Sequence, residues 1–157
     1  MKQRINVAEK GMAAIRPMRG LGSYLAKSSV EKSLLDLVYL RVSQVNSCAF
    51  CLDMHFKDLR AAGESEQRLY SLDAWRETSF YSDRERAALA WAESLTKLNG
   101  AVADAIYEEA CDNFSEEQLI DLTIAVVTIN GFNRINLAFP NPSAVGTYKV
   151  GAFTHAD

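Results

Sequence analysis

Two cysteines and a histidine share one short stretch, Asn46-Ser47-Cys48-Ala49-Phe50-Cys51-Leu52-Asp53-Met54-His55. On a helix turning about 100° per residue, Cys48, Cys51 and His55 fall within roughly a 60° arc. The two cysteines stand one turn apart, close enough for a disulfide after modest adjustment. His55 follows Cys51 at the i+4 spacing, where helix side chains meet. A thiolate is the reactive form of cysteine, and an ordinary thiol is only partly ionised at neutral pH. Cys48 falls in a first helical turn, where unpaired N–H groups and the helix dipole favour negative charge. His55 can take the Cys51 proton or stabilise its thiolate. A thiolate that attacks a peroxide becomes a sulfenic acid, and a neighbouring thiol condenses with it to a disulfide. A dithiol donor would restore the pair by exchange.

Two other readings compete for these residues. They could be small buried thiols beside a surface histidine. They could also be metal ligands, with Asp36 as a fourth, but structural zinc sites usually draw their ligands from separated segments. No metal is therefore expected. The chain has three cysteines, an odd number, and no secretory signal is expected because no apolar run follows the basic N-terminus. A structural disulfide framework fits that poorly. Cys111 reads as a structural thiol at a helix end, and His155 as part of a frayed tail.

The elements that must hold the cysteines read as helices. Val30, Leu34, Leu37, Val38, Arg41, Val42 and Val45 form one stripe at a spacing near 3.6, which predicts a helix over 30–46. Ser28-Ser29-Val30-Glu31 reads as its capping box. Asn46-Ser47 supplies cap residues for a second helix that runs through Cys48 and stops at Gly63. Capping boxes at Ser82–Glu85 and Ser115–Gln118 open two more. The second of these predicts a helix over 116–129, apolar on nearly all sides, suited to the core or a subunit interface. Short helices are expected over 65–73 and 102–111. Pro17, Gly20 and Gly22 predict a bend or split in the N-terminal helix. Pro140 and Pro142 mark the end of regular structure. Trp75, Trp91, Tyr39, Tyr70 and Phe80 read as core or interface residues. The expected architecture is one all-α domain over 1–157, a helical bundle.

Bulk properties narrow the function. The chain has 157 residues, 48% of them apolar and 24% charged, with a formal net charge of −3. That profile suits a globular domain with a proper core. It lacks the basic face that nucleic-acid binding requires, and no apolar run is long enough for a membrane span. Lys2, Arg4, Lys10, Arg16, Arg19 and Lys27 read as a basic helix face rather than a transit peptide. A cytoplasmic location is expected.

The run Leu40-Arg41-Val42-Ser43-Gln44-Val45-Asn46-Ser47-Cys48 through His55 resembles the core motif of the alkylhydroperoxidase D-like group. That group belongs to the carboxymuconolactone decarboxylase superfamily. Lys57-Asp58, Ala61-Ala62-Gly63-Glu64, Leu72-Asp73-Ala74-Trp75-Arg76 and Arg84-Glu85-Arg86-Ala87-Ala88-Leu89-Ala90 are similar to the family's continuation, as is Ile129-Asn130-Gly131-Phe132-Asn133-Arg134. The resemblance implies an all-helical fold, a homo-oligomer such as a trimer or hexamer, and reduction of organic hydroperoxides through the two cysteines. It implies that Cys51 attacks the peroxide, that Cys48 closes the disulfide, and that His55 relays the proton. No resident cofactor is implied; the electrons would come from an external dithiol, a thioredoxin-like or lipoyl reductant. The helix-dipole argument points instead to Cys48 as the more acidic thiol. The family usually carries a glutamate twelve residues before its first cysteine, where this chain has Asp36, one methylene shorter. Phe50 stands where the family's prototype has a histidine. A lactone decarboxylase and a non-catalytic redox sensor are the alternatives. The paired cysteines count against the first, because the decarboxylase branch does not rely on them. Asn130, Asn133 and Arg134 are expected to cap a helix end or bridge subunits, without a catalytic role.

Overall fold

Helix α3 (Lys32–Val45) is the axis of the molecule, because both of its apolar faces are buried. Leu34, Leu35, Val38 and Val42 enter one apolar cluster, and Leu37 and Leu40 enter a second. The computed structural model describes residues 2–152, so His155 lies outside the described residues. Among these residues there are helices and no strand. In chain order α1 (Val7–Lys10) and α2 (Met12–Leu25) precede α3. After it come α4 (Ala49–Ala61), α5 (Glu66–Ser71), a 3-10 segment (Leu72–Glu77), α6 (Asp83–Thr96), α7 (Asp104–Asn113), α8 (Glu116–Ala138) and a short 3-10 turn (Pro142–Ala144). The architecture is the all-α bundle expected from the sequence. Helix α3 packs on α4, α6 and α8, while α2 lies along α8 and α7 along α6. No described helix is long and apolar enough to cross a membrane.

The capping boxes of α6 and α8 form as the sequence predicts. Glu85 N–H donates to Ser82 Oγ at 3.2 Å, and Glu85 accepts from Ser82 N–H at 2.8 Å. Gln118 N–H donates to Ser115 Oγ at 3.2 Å, with the return bond at 3.3 Å. Helix α4 ends as expected at Gly63, which takes φ +95°. Its N–H reaches the Arg60 carbonyl at 3.1 Å, and Glu64 N–H reaches Leu59 at 2.9 Å, the Schellman arrangement.

The structure corrects several expectations. The Ser28 box does not form. Helix α3 starts later, with Glu31 at its N-cap and no side-chain cap bond. The Ser28 hydroxyl instead donates to Asp121 at 2.5 Å, beside the Tyr24 hydroxyl at 2.6 Å. Asp121 is buried in α8, and an unserved buried carboxylate costs more than the ~1 kcal/mol a cap provides. Helix α2 is also unbroken at Pro17, Gly20 and Gly22. Packing on α8 outweighs local propensity there: a Cβ placed on Gly131 would stand 2.8 Å from Met18 Cε, so the two helices approach closely. Helix α8 runs nine residues beyond Ile129, to Ala138. Its late asparagines look like stop signals but spend their polar groups on neighbouring helices. Tyr70 is exposed, which leaves only the interface half of its core-or-interface reading, and Cys111 is an exposed free thiol on α7.

Candidate active site

The turn between α3 and α4 places the cysteines. Ser47 adopts φ +55°, an uncommon conformation for a residue with a side chain. The chain thereby reverses, and Cys48 N–H returns to the Ser43 carbonyl at 3.0 Å. The N-cap of α4 is Cys48 itself, not Asn46 or Ser47. Asn46 turns its amide to α8, donating to Asn130 and Asn133 at 2.9 Å each. Asn133 donates onward to Ser43 Oγ at 3.2 Å, and Arg134 donates to Asn130 at 2.6 Å. These α8 residues therefore hold the cysteine turn in place and do not cap the end of their own helix.

Cys48 and Cys51 are joined as a disulfide, with Cα atoms 5.4 Å apart. Both are buried, at 1% and 0% exposure, so any reagent must pass a wall of side chains to reach them. Asn136, near the end of α8, donates its amide to Cys51 Sγ at 3.3 Å. Sequence reasoning missed this residue, which lies 85 positions from its partner and in no local motif.

His55 lies on the same helix as Cys51 and is buried. Its Nε2 atom is sealed from solvent and has no hydrogen-bond partner. Burial first, and then the positive charge of Lys32, hold its pKa down to about 4. The imidazole is therefore neutral near pH 7, and burial in this disulfide form works against its taking up a proton. Tyr39 of α3 packs on it, with ring centroids 5.5 Å apart. Burial and then the Asp36 charge push the Tyr39 hydroxyl above its ordinary value, so it stays protonated. Asp36 is paired with Lys32, one turn earlier on α3. The structure thus places Cys48 at the N-cap of α4 and Cys51 and His55 on that helix, while Asp36 stands on α3, where its charge acts on Tyr39. Among the described residues no group of three or more His, Cys, Asp and Glu side chains is placed to hold a metal ion.

The C-terminal segment secures the outer side of α4. Gly146 N–H donates to Asp53 at 3.0 Å, Lys57 reaches the Gly146 and Tyr148 carbonyls at 3.2 Å, and the Tyr148 hydroxyl reaches Asp58 at 2.8 Å.

A buried Cys-x-x-Cys disulfide at the head of a helix, with a histidine one turn on, inside an all-α bundle, defines a class of thiol proteins built on helices alone. Residues 11–94 match the profile of the carboxymuconolactone decarboxylase family. The chain belongs to that family, in its alkylhydroperoxidase D-like branch. It is 40% identical over 145 residues to the uncharacterized protein YdfG of Bacillus subtilis, covering 92% of this chain and 99% of that one. It resembles the crystal structure of a protein of unknown function from Agrobacterium tumefaciens, provisionally described as the antioxidant defence protein AhpD. That match has TM-score 0.84 and 37% identity, covering 88% of this chain and 95% of the other. The debrominase Bmp8, solved with 2,3,4-tribromopyrrole, shares the fold at TM-score 0.75 and 19% identity, over 89% of this chain and 76% of the other.

Proposed function

We propose that the protein is a thiol-dependent peroxidase that reduces organic hydroperoxides through Cys48 and Cys51. The observation that carries this reading is the buried disulfide beside a neutral histidine whose Nε2 has no partner. In the reduced enzyme His55 takes the proton of Cys51. The Cys51 thiolate attacks the terminal oxygen of R–O–OH, the O–O bond breaks, and the alkoxide leaves with that proton as an alcohol. Cys51 is then a sulfenic acid. The Cys48 thiolate attacks its sulfur, the S–O bond breaks, and hydroxide leaves as water after protonation. An external dithiol reduces the resulting disulfide by two exchanges, so one dithiol is oxidised per hydroperoxide reduced.

Two observations support Cys51 as the attacking residue. It is the cysteine within one turn of His55, and it receives the Asn136 amide, which can stabilise charge developing on sulfur. The N-cap position of Cys48 suits the second step. A thiolate there faces the first amides of α4 as a capping oxygen would, which keeps it ionised for attack on the sulfenic acid. Asp36 serves as the outer carboxylate of the proton relay, acting through water because its stem is short. Exposed Ile120 and Val127 on α8 support self-association through that helix.

The test is steady-state turnover of an organic hydroperoxide with a small dithiol. Wild-type protein consumes both in equal amounts, and Cys51→Ser consumes neither. Oxidation of the wild-type pair without sustained turnover would instead identify a redox sensor.

A further inference from the structure

A disulfide is reduced only when a thiolate reaches one of its sulfurs, in line with the S–S bond. Both cysteines are buried here, so part of their surroundings must move first. The thiol of lower pKa is the better leaving group, and the N-cap position makes that Cys48. A dithiol therefore attacks Cys51, from the side away from Cys48. Around the axis of α4, Cys51 stands ~60° from Cys48, and Asp58 falls ~20° further in the same direction. The approach crosses the flank of α4 that carries Asp58.

The C-terminal end of the chain is fastened to that flank. Helix α8 brings Asn136 to Cys51 Sγ at 3.3 Å and ends at Ala138. The chain then turns back onto α4. Gly146 N–H donates to Asp53 at 3.0 Å, and Lys57 donates to the Gly146 and Tyr148 carbonyls at 3.2 Å. The Tyr148 hydroxyl donates to Asp58 at 2.8 Å. Residues 139–148 thus connect the Cys51 sulfur to the Asp58 carboxylate along one side of the helix. The fastening is light. Among residues 141–152 none is buried, and only Ala144 and Tyr148 are half-buried. The opposite wall is core, where Val42, Ser43 and Asn133 are fully closed off. Segments with few buried apolar contacts open far more readily than the core does.

We infer that residues 139–152 form a strap that gates the disulfide, closed on α4 as seen here and lifting beyond the end of α8 to admit an external dithiol to Cys51. One donor thiolate bonds to Cys51 Sγ as the S–S bond breaks and Cys48 leaves as a thiolate. The second donor thiolate then displaces Cys51, so both cysteines end reduced and the donor ends as a disulfide. The gate needs only the Cys48–Cys51 bond and stands whichever oxidant forms it.

The experiment unfastens the strap in the full-length protein. Gly146 takes φ +86°, which proline cannot adopt, and Gly146→Pro also removes the N–H that binds Asp53. Tyr148→Phe removes the hydroxyl on Asp58. Neither residue is buried, so the double variant leaves the core intact. The disulfide is formed with diamide, so no hydroperoxide enters the test. The readout is the rate at which dithiothreitol reduces Cys48–Cys51, followed by acid-quenched alkylation and mass spectrometry. Two bonds to carboxylates are lost, so reduction is expected to be roughly tenfold faster than in wild type, or more. A smaller rise overturns the proposal. A second measurement separates lifting of the strap from global unfolding in wild-type protein. A short strap exposes little surface, so low urea should speed reduction with less than about half the slope of equilibrium unfolding. A steeper dependence means that the whole chain must open, and overturns the gate.

Discussion

Two buried polar clusters lie on either side of α3, and they are finished differently. In the first, Glu93 accepts from Arg41 at 2.7 Å, from Trp75 at 2.8 Å and from Arg76 at 2.6 Å. Arg41 also reaches Gln44 and Asp73, and the Arg76 guanidinium stacks 4.0 Å from the Trp75 ring. Burial pushes the Glu93 carboxyl up, but the hydrogen bonds from Trp75, Arg76 and Arg41 outweigh it and leave the group below its ordinary value. Every strong group there is spent. In the second cluster, the disulfide and His55 are buried, yet one ring nitrogen is left without a partner. A cluster that only holds a fold together has no reason to keep an unserved atom. A cluster that exchanges a proton, the role proposed for His55, has.

The comparison breaks most completely at Cys51. Cys51→Ser removes all detectable dithiol-dependent peroxide turnover, measured by hydroperoxide consumption, while Cys48→Ser still loses one thiol per peroxide in a single turnover. The contrasting lesion is Arg41→Ala, which leaves Glu93 buried without its deepest cation. It is expected to cost about 3–5 kcal/mol in urea unfolding. Any fall in turnover should then follow the folded fraction and not the chemical step. His55→Gln is expected to lower turnover by roughly 10²–10⁴-fold, with the loss in the rate of thiol oxidation.

Acid sharpens the same contrast. The His55 pKa is about 4 in the folded disulfide form, below the ordinary histidine value of 6.5. The unfolded chain therefore binds a proton that the folded chain refuses. The contribution of neutral His55 is complete above about pH 6.5, is lost as pH falls toward 4, and levels off below that. The full change is on the order of 3 kcal/mol. Denaturant midpoints of the oxidised protein from pH 7 to 4 should show it, and His55→Gln should flatten that segment. The smallest effect concerns the turn. Ser47→Gly relieves a left-handed backbone and should raise stability by about 0.5–1 kcal/mol, read as a shifted urea midpoint.

Much of this was legible in the sequence where the signals are local. The capping boxes at Ser82 and Ser115, the stop at Gly63 and the spacing of Cys48, Cys51 and His55 each depend on residues within a few positions. The errors have a shared cause in long-range demand. Ser28 looks like the cap of α3, but its Oγ accepts from Val30 N–H while its hydroxyl donates to Asp121, 93 residues away, and α3 starts only after Glu31. Pro17 looks like a break, yet α2, packed on α8, continues through it. Asn130 and Asn133 look like the end of a helix until the cysteine turn needs their side chains. Asn136 and Lys32 carry no motif, and only the folded chain brings the one to Cys51 and the charge of the other to bear on His55. On the proposed mechanism, the clash between dipole and resemblance over the two cysteines becomes an order of action, in which the N-cap would favour a Cys48 thiolate for closing the disulfide, while Asn136 and His55 would serve Cys51 for opening the peroxide.

That division of labour is open to one direct measurement. Reduced Cys48→Ser protein is mixed with one equivalent of cumene hydroperoxide, trapped with a sulfenic-acid reagent and mapped by mass spectrometry, beside reduced Cys51→Ser. The account predicts a sulfenic acid on Cys51 in the first variant and unreacted Cys48 in the second. A sulfenic acid that forms on Cys48 while Cys51 stays reduced would contradict it.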